Sequence, residues 1–454
     1  MKLQLSEIAQ AVSGRLAGDD VCVEGVSIDT RQLQAGNLYV AIKGHQFDGH
    51  DFIAQAQAAG ASALLVDRVI KSELPQIIVA DTRLALAELA GYWRNKLAVR
   101  VVGVTGSNGK TTVKEMLATV LASAGETLST RGNLNNDIGV PLTLLGLTPE
   151  HRFAVIEMGA NHPGEIAYTS AYAKAEISVI TNVGRAHIAG FGDLHGVAKT
   201  KGEIVETLAA DATAVLNADD VFFPYWQEVA AGRQVISFGL SKTAQIHAEH
   251  IVSELTDQGY QTRFEIHGPR EETVACCLSL AGEHNVRNAL AVVAVGIHFG
   301  MALPQIVTAL AGIKPVTGRM QPLKGRKGNV VIDDTYNANP SSLQAALEVL
   351  KPDADNWVVL GAFGELGPES EAVHGEMGHT LKQMPVKRLF ATGELARHTV
   401  TAFGEGAEFF ETQEQLISAL NQALSGTETL LVKGSRSQKM ENVVASLVDN
   451  FRAA

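Results

Sequence analysis

The chain has 454 residues, 46% of them hydrophobic and 19% charged, with a formal net charge of −12. That length fits about three domains with large cores, and the acidic balance, with no basic stripe, argues against a nucleic-acid partner. The N-terminus lacks a signal-peptide pattern, no apolar run is long enough to span a bilayer, and Cys22, Cys276 and Cys277 lack metal-ligand spacing, so a cytoplasmic protein without stable membrane insertion is expected.

In chain order, Leu5, Ile8, Ala9 and Val12 have helical spacing, and 37–42 reads as a buried strand. Two polar clusters stand out in the first 98 residues. Ser27, Asp29, Thr30 and Arg31 bring together a hydroxyl, a carboxylate and a guanidinium, and Arg31 has the planar fork that suits a diphosphate. The second runs from Lys43 to Phe52 and includes Gly44, Asp48, Gly49 and His50. Turn chemistry with a surface ion pair explains both clusters equally well.

A composition shift near 97–100 opens the next unit, and its first strand, from Val101, ends in Gly106-Ser107-Asn108-Gly109-Lys110-Thr111-Thr112. A helical pattern follows at Val113, Met116, Leu117, Val120 and Leu121. Strand, glycine turn and helix make a phosphate cradle: the turn frees backbone amides, the helix N-terminus adds partial positive charge, Lys110 adds a mobile cation and Thr111 can ligate Mg²⁺. The full phosphate-loop pattern has a further glycine where Val104 stands. Strands at 153–156, 177–180 and 214–216 alternate with helical segments, which predicts a parallel sheet with ligands at its carboxyl edge. Glu157 ends the first of these, Thr181, Asn182 and His187 follow the second, and Asn217, Asp219 and Asp220 follow the third. Glu157 at a strand end beside a phosphate loop suits a Mg²⁺ ligand; a capping carboxylate is the alternative. Residues 233–280 read as hairpins with turns at 257–259 and 267–269, and 282–300 as a helix. After a linker at 315–318, a third α/β unit has strands at 330–332, 357–360, 388–391 and 429–432.

Taken together, Gly106 to Thr111, Glu157, Asn182 to His187, Lys199 to Glu203, His284-Asn285 with Asn288, and Gly318-Arg319 resemble the Mur ligases, the ATP-dependent amide ligases of peptidoglycan precursor assembly. The resemblance covers the chain in order and implies three domains. These are an N-terminal α/β UDP-binding domain (1–98), a central phosphate-loop domain on a mostly parallel sheet (99–314) and a C-terminal Rossmann-like domain (315–454). Asn133 to Pro141, Asp333 to Ser341 and Val432 to Ser437 resemble the family branch that joins D-alanyl-D-alanine to UDP-N-acetylmuramoyl-tripeptide. Other Mur ligases or folylpolyglutamate-type ligases are the alternative.

The resemblance also implies roles. Lys110 and the 106–109 backbone would hold the β- and γ-phosphates of ATP, with Thr112 beside them. Thr111, Glu157, His187 and Lys201, the last as a CO₂-derived carbamate, would hold Mg²⁺, and Lys110, Lys201 and His187 would be catalytic. By composition alone Lys201 reads as a surface lysine. Asn288, Arg319 and Asp334 would contact adenine and ribose. Ser27, Asp29, Thr30, Arg31, Gly44, Asp48, Gly49 and His50 would recognise the UDP end, and Asn337, Asn339, Lys433, Ser435 and Arg436 the dipeptide pocket. A monomer is expected, closing about hinges near 98 and 315. Ala362 and Phe363 stand where the family often has an acidic residue and a methionine, and Ala189 where an acidic residue is frequent.

Overall fold

The structure is a computed structural model that describes residues 1–44, 46–185, 188–256, 259–449 and 451. Among these residues the chain builds three large sheets in sequence order.

The N-terminal sheet contains β1 (Arg15–Ala17), β2 (Val26–Ser27), β3 (Leu38–Val40), β4 (Ala63–Val66) and β5 (Gln76–Ile78), ordered β1-β5-β4-β3-β2. Only β1 runs antiparallel to its neighbour. Helix α1 (Thr82–Asn95) follows, with Asp81 capping it by accepting from the amides of Arg83 and Leu84.

α1 packs on the central unit as well as on its own sheet. Trp93 donates its indole N–H to the Leu147 carbonyl (2.9 Å), and Arg94 donates to the Ala173 carbonyl. One buried apolar cluster runs from Leu38 and Leu65 through Leu86 and Trp93 to Leu144, Ile156 and Ile204. Flexing at 98 would tear that core, whereas 313–317 holds no helix or strand.

The central sheet is built from β6 (Arg100–Thr105), β7 (Thr127–Ser129), β8 (Phe153–Glu157), β9 (Ile177–Ile180), β10 (Thr213–Asn217), β11 (Gln234–Gly239), β12 (Ile246–Thr256), β13 (Gly259–His267) and β14 (Thr273–Leu278). Their order is β14-β13-β12-β11-β10-β9-β6-β8-β7, parallel from β7 to β12 and antiparallel beyond. The hairpin reading of 233–280 therefore holds for β12 to β14 but not for β11, which pairs in parallel with β10 and β12. A strand pattern states pleat and burial; it does not state direction. The turn expected at 257–259 falls partly outside the described residues, since 257 and 258 are not described.

Both faces of this sheet are covered, so its strands read as continuous apolar runs. Val101 and Ile156 face α1, α3 (Glu165–Ala173) and α4 (Leu194–Glu206). Val102, Val104 and Val155 face α2 (Lys110–Ala122) and α5 (Gly282–His298). Val104 explains the missing loop glycine: it is fully buried and still within β6, paired in register with Glu157 and Val179, and the turn begins two residues later.

The C-terminal sheet comprises β15 (Gln321–Lys324), β16 (Val330–Asp334), β17 (Asn356–Gly361), β18 (Arg388–Thr392), β19 (Ala407–Phe410) and β20 (Thr429–Lys433), ordered β15-β16-β20-β17-β18-β19. All neighbours are parallel except β15 with β16. Helices α6 (Pro340–Leu347) and α7 (Ser370–Gln383) cover one face.

Candidate active site

The carboxyl edge of the central sheet gathers the polar strand ends, as a switch of direction in an open α/β sheet requires. Here a cleft of about 570 Å³ lies between the central and C-terminal units. It is lined by Ser107 to Thr112, Glu157, Asn182, Asn288, Arg319, Asp334, Asn337, Asn339 and Lys433, among others. Ser435, Arg436, Lys201 and the N-terminal candidates do not line it.

The loop between β6 and α2 is fixed by three hydrogen bonds to Thr181 and Asn182, just after β9. The Ser107 amide donates to the Asn182 carbonyl (2.9 Å), the Asn108 amide donates to Asn182 Oδ1 (3.0 Å), and the Thr181 hydroxyl donates to the Asn108 carbonyl (2.6 Å). Gly106 has φ +145°, and a Cβ there would lie 1.9 Å from Thr181 Oγ1. Gly106→Ala is therefore expected to destabilise the fold by about 2–4 kcal/mol and to abolish ATP binding, read by thermal melts and calorimetric titration. Gly109, at φ +81°, has the Asn288 side chain against it.

Lys110 folds back on its own loop, donating to the Gly106 carbonyl (2.7 Å) and the Ser107 carbonyl (3.3 Å). Burial holds its pKa below the ordinary lysine value; nearby Glu157 opposes this and Arg319 adds to it. Across the cleft, Arg319 donates to the Thr111 hydroxyl (2.9 Å) and stacks its guanidinium 4.3 Å above the Tyr336 ring. Asn108 also reaches the C-terminal unit: its Nδ2 donates to Ser341 Oγ (3.0 Å), and its Oδ1 accepts from Asn339 Nδ2 (2.8 Å). Asn339 is at the same time the N-cap of α6. The phosphate loop and the start of α6 are thus one hydrogen-bonded assembly.

Two buried polar atoms of cleft residues have no partner among the described residues: Glu157 Oε2 and Arg319 Nε. One is an acceptor that suits a cation and the other a donor that suits an anion. Glu157 Oε1 is held by Asn135 Nδ2 at 2.8 Å. Asp334 is fully engaged, accepting from the Met320 amide (3.2 Å) and from Lys433, whose amine also donates to the Asn337 carbonyl (3.1 Å). Asn288 Nδ2 donates to Asn285 Oδ1 (3.1 Å). His187 lies outside the described residues.

Lys201 sits on α4, 1% exposed, with Nζ 5.3 Å from the centre of the Phe191 ring. Burial first, and then the Lys110 charge, push its pKa down to about 7, against the pull of Glu203 and Glu165. Glu203 is itself occupied by the amides of Gly164 (2.7 Å) and Ala167 (3.0 Å) at the start of α3.

His284 opens α5 in the cleft wall, and Asn285 Nδ2 lies 3.0 Å from its Nε2. Burial pushes its pKa down from 6.5 to about 4, with Asp334 opposing and Lys433 and Arg287 assisting. Between those values the unfolded chain binds a proton that the folded chain refuses, so folding stability falls as pH drops through this window. The contribution is on the order of 3 kcal/mol. Urea titrations at pH 6.5 and 4.5 should show His284→Asn losing less stability than the parent chain.

The remaining candidates are placed apart from the cleft. Arg31, 86% exposed at its side chain, forks onto the Asp29 carboxylate through Nε and Nη2, and Ser27 Oγ donates to the Asp29 carbonyl. Asp48 accepts from the His50 amide and Nδ1 and from Arg68, which holds its carboxyl below the usual range. Gly49 packs on the backbone of Ala41 and Ile42. Ser435 Oγ donates to the Ala362 carbonyl (2.7 Å), and Arg436 pairs with Glu441 (2.9 Å). The sequence reading assigned no role to Asn135, Tyr336 or Ser341. Each lay inside a motif singled out whole, and their task depends on contacts that spacing does not reveal.

A phosphate loop at the carboxyl edge of a parallel sheet, faced by a second α/β unit that reaches into it, defines a nucleotide-using enzyme with its site between domains. The chain belongs to the Mur ligase family. Its residues 23–94 match the Mur ligase family catalytic domain, 104–296 the Mur ligase middle domain, and 318–436 the Mur ligase glutamate ligase domain. It is 43% identical to the UDP-N-acetylmuramoyl-tripeptide–D-alanyl-D-alanine ligase of Escherichia coli K12, with 99% of each chain covered. It is 34% identical to the Bacillus subtilis enzyme of the same name, again with 99% of each covered. Among solved structures, MurF from Acinetobacter baumannii superposes with a TM-score of 0.92 at 36% identity, covering 98% of both chains. MurF ligase from Thermotoga maritima in complex with ADP gives 0.84 at 28% identity, covering 93% of this chain and 97% of that one.

Proposed function

We propose that the protein joins D-alanyl-D-alanine to UDP-N-acetylmuramoyl-tripeptide, converting ATP to ADP and phosphate. The observation that carries this reading is the cleft itself. It sets Lys110, the unpartnered Glu157 oxygen and Arg319 around one space between two units. The full-length likeness to ligases of that name supports the choice of substrates.

A carboxylate is a poor electrophile, so the tripeptide's terminal carboxylate first attacks the γ-phosphorus. The bond to the β-phosphate oxygen breaks and ADP leaves, giving an acyl phosphate. The free amine of D-alanyl-D-alanine then attacks the acyl carbon, the amide forms, a proton is released and phosphate departs. Lys110 screens the repulsion between the two anionic reactants, and Arg319, with its free Nε, holds phosphate or ribose oxygens. Glu157 and Thr111 suit Mg²⁺, with His187 and carbamylated Lys201 completing the reading. The ion supplies Lewis acidity and charge neutralisation at the phosphates. Asn288 beside the loop and Asp334 beyond it serve the nucleoside, Asn337, Asn339 and Lys433 the dipeptide side, and the exposed Arg31 fork and the Asp48–His50 turn the UDP end. Ser435 and Arg436 act at most by shaping the loop next to them. The reading includes a cytoplasmic monomer; among the described residues no helix is long and apolar enough to cross a membrane.

The test is phosphate release from ATP and Mg²⁺ with the nucleotide tripeptide, with and without D-alanyl-D-alanine, the sugar nucleotide being followed by mass. Release that needs the dipeptide, with its mass gained, supports the ligase. Release indifferent to it defeats the reading. Carbamylation is tested separately: ¹³CO₂ should give one carbamate resonance, absent in Lys201→Ala, because a buried amine with its pKa near 7 offers a large neutral fraction to attack CO₂.

A further inference from the structure

We propose a second metal site, for a borderline divalent cation of the Zn²⁺ class, on the outer hairpin of the central sheet. Its ligands are His247 and Glu249 on β12 and His267 on β13. In the antiparallel register His247 stands directly opposite His267. Residues i and i+2 of a strand share a face, so Glu249 projects from the same side as His247. One ligand atom from each of the three lies within 4.8 Å of the others. Two donors on one tetrahedral Zn²⁺ at about 2.1 Å lie about 3.4 Å apart, so binding turns the two rings out of parallel to bring a lone pair of each onto one point.

The imidazoles point to a ligand by what they lack. Their rings stack with centroids 4.7 Å apart, 6° from parallel. His247 Nδ1 and His267 Nε2 are both buried and have no hydrogen-bond partner among the described residues. A buried ring nitrogen left without a partner is costly, and a cation between the rings relieves that cost; on the other side of its ring, His247 Nε2 lies 3.7 Å from Glu249 Oε1. His267 is already oriented for this, with the Thr273 hydroxyl 3.1 Å from its Nδ1. When Nδ1–H donates to that hydroxyl, Nε2 carries the free lone pair, the arrangement an outer partner gives a ligating histidine. Glu249 is held by the exposed Lys242, a cation that an incoming metal displaces. Two imidazoles and a carboxylate select Zn²⁺ or Co²⁺ over Mg²⁺, which prefers oxygen. None of the three residues lines the cleft, so this site is separate from the one read for catalysis.

The experiment titrates Co²⁺ and then Zn²⁺ into the metal-free, untagged full chain with excess Mg²⁺ present. Cys22→Ser and Cys277→Ser remove the two exposed thiols. The expected result is one equivalent of Co²⁺ with intense visible d–d bands, displaced by Zn²⁺. His267→Gln should abolish the bands, Thr273→Val should weaken binding by roughly tenfold, and Lys242→Ala should tighten it. Glu249→Gln, at a partly exposed position, keeps the test valid if His267→Gln fails to fold. Absence of bands in the parent chain, or bands that survive Glu249→Gln and His267→Gln unchanged, would overturn the proposal.

Discussion

Lys110→Met is expected to lower the rate of ADP formation by about 10³-fold or more while the chain stays folded. The amine is bound by the carbonyls of Gly106 and Ser107 and is half-buried where the loop lines the cleft. Its charge is already disfavoured by burial, so removing it relieves a desolvation cost and leaves thermal stability equal or higher. What disappears is the cation proposed to meet the triphosphate. Lys110→Arg should rescue little, because the planar guanidinium neither fits the turn nor acts as a compact point charge. Steady-state rates at saturating ATP, set beside melting temperatures, check both halves. A variant that keeps its rate within tenfold of the parent would remove Lys110 from the phosphate role.

Much of this site was legible because its parts are local. The run from Val101 to Thr112 states strand, turn and helix in one stretch, and β6, the loop and α2 form there. Glu157 was legible as a strand-end acid for the same reason. What local pattern cannot state is partnership across sequence distance. Nothing in the spacing says that Asn108 bonds Asn339 and Ser341, or that Asn135 orients Glu157. Lys201 shows the limit from the other side. Lys-Thr-Lys-Gly-Glu reads as a solvated helix face, yet α4 turns Lys201 into the core while Glu203 caps α3. The direction of β11 and the continuity of the core across residue 98 were hidden likewise, since both are set by packing between units.

The assembly linking the loop to α6 bears on closure. Asn339 spends its carboxamide oxygen on the Ser342 amide and its nitrogen on Asn108. Arg319 and Thr111 add a second bridge, and Arg185 with Glu376 (2.8 Å) a third, farther out. Any motion of the C-terminal unit about 313–317 would therefore pull directly on the loop proposed to hold the phosphates. The N-terminal unit shares, through α1, one buried apolar core with the sheet that carries Glu157.

Glu157→Gln is expected to cost about 10³-fold in rate, equivalent to several kcal/mol of transition-state stabilisation, with little change in fold. The side chain is 1% exposed at the carboxyl end of β8, and its amide donates to Thr130 Oγ1 (3.0 Å). Gln has the same shape and can still accept from Asn135, so packing is preserved. The loss falls on Oε2, the one carboxylate oxygen without a partner, where a negative charge is needed to attract a divalent ion and an amide supplies none. Mn²⁺ binding followed by electron paramagnetic resonance in the presence of ADP separates the two roles in the cleft. Glu157→Gln should weaken Mn²⁺ binding, whereas Lys110→Met should leave the ion's carboxylate ligand in place and weaken retention of the nucleotide. Equal Mn²⁺ affinity in Glu157→Gln and the parent chain would show that this buried oxygen is not the ion's ligand, and the cation would then have to be sought elsewhere around the phosphate loop.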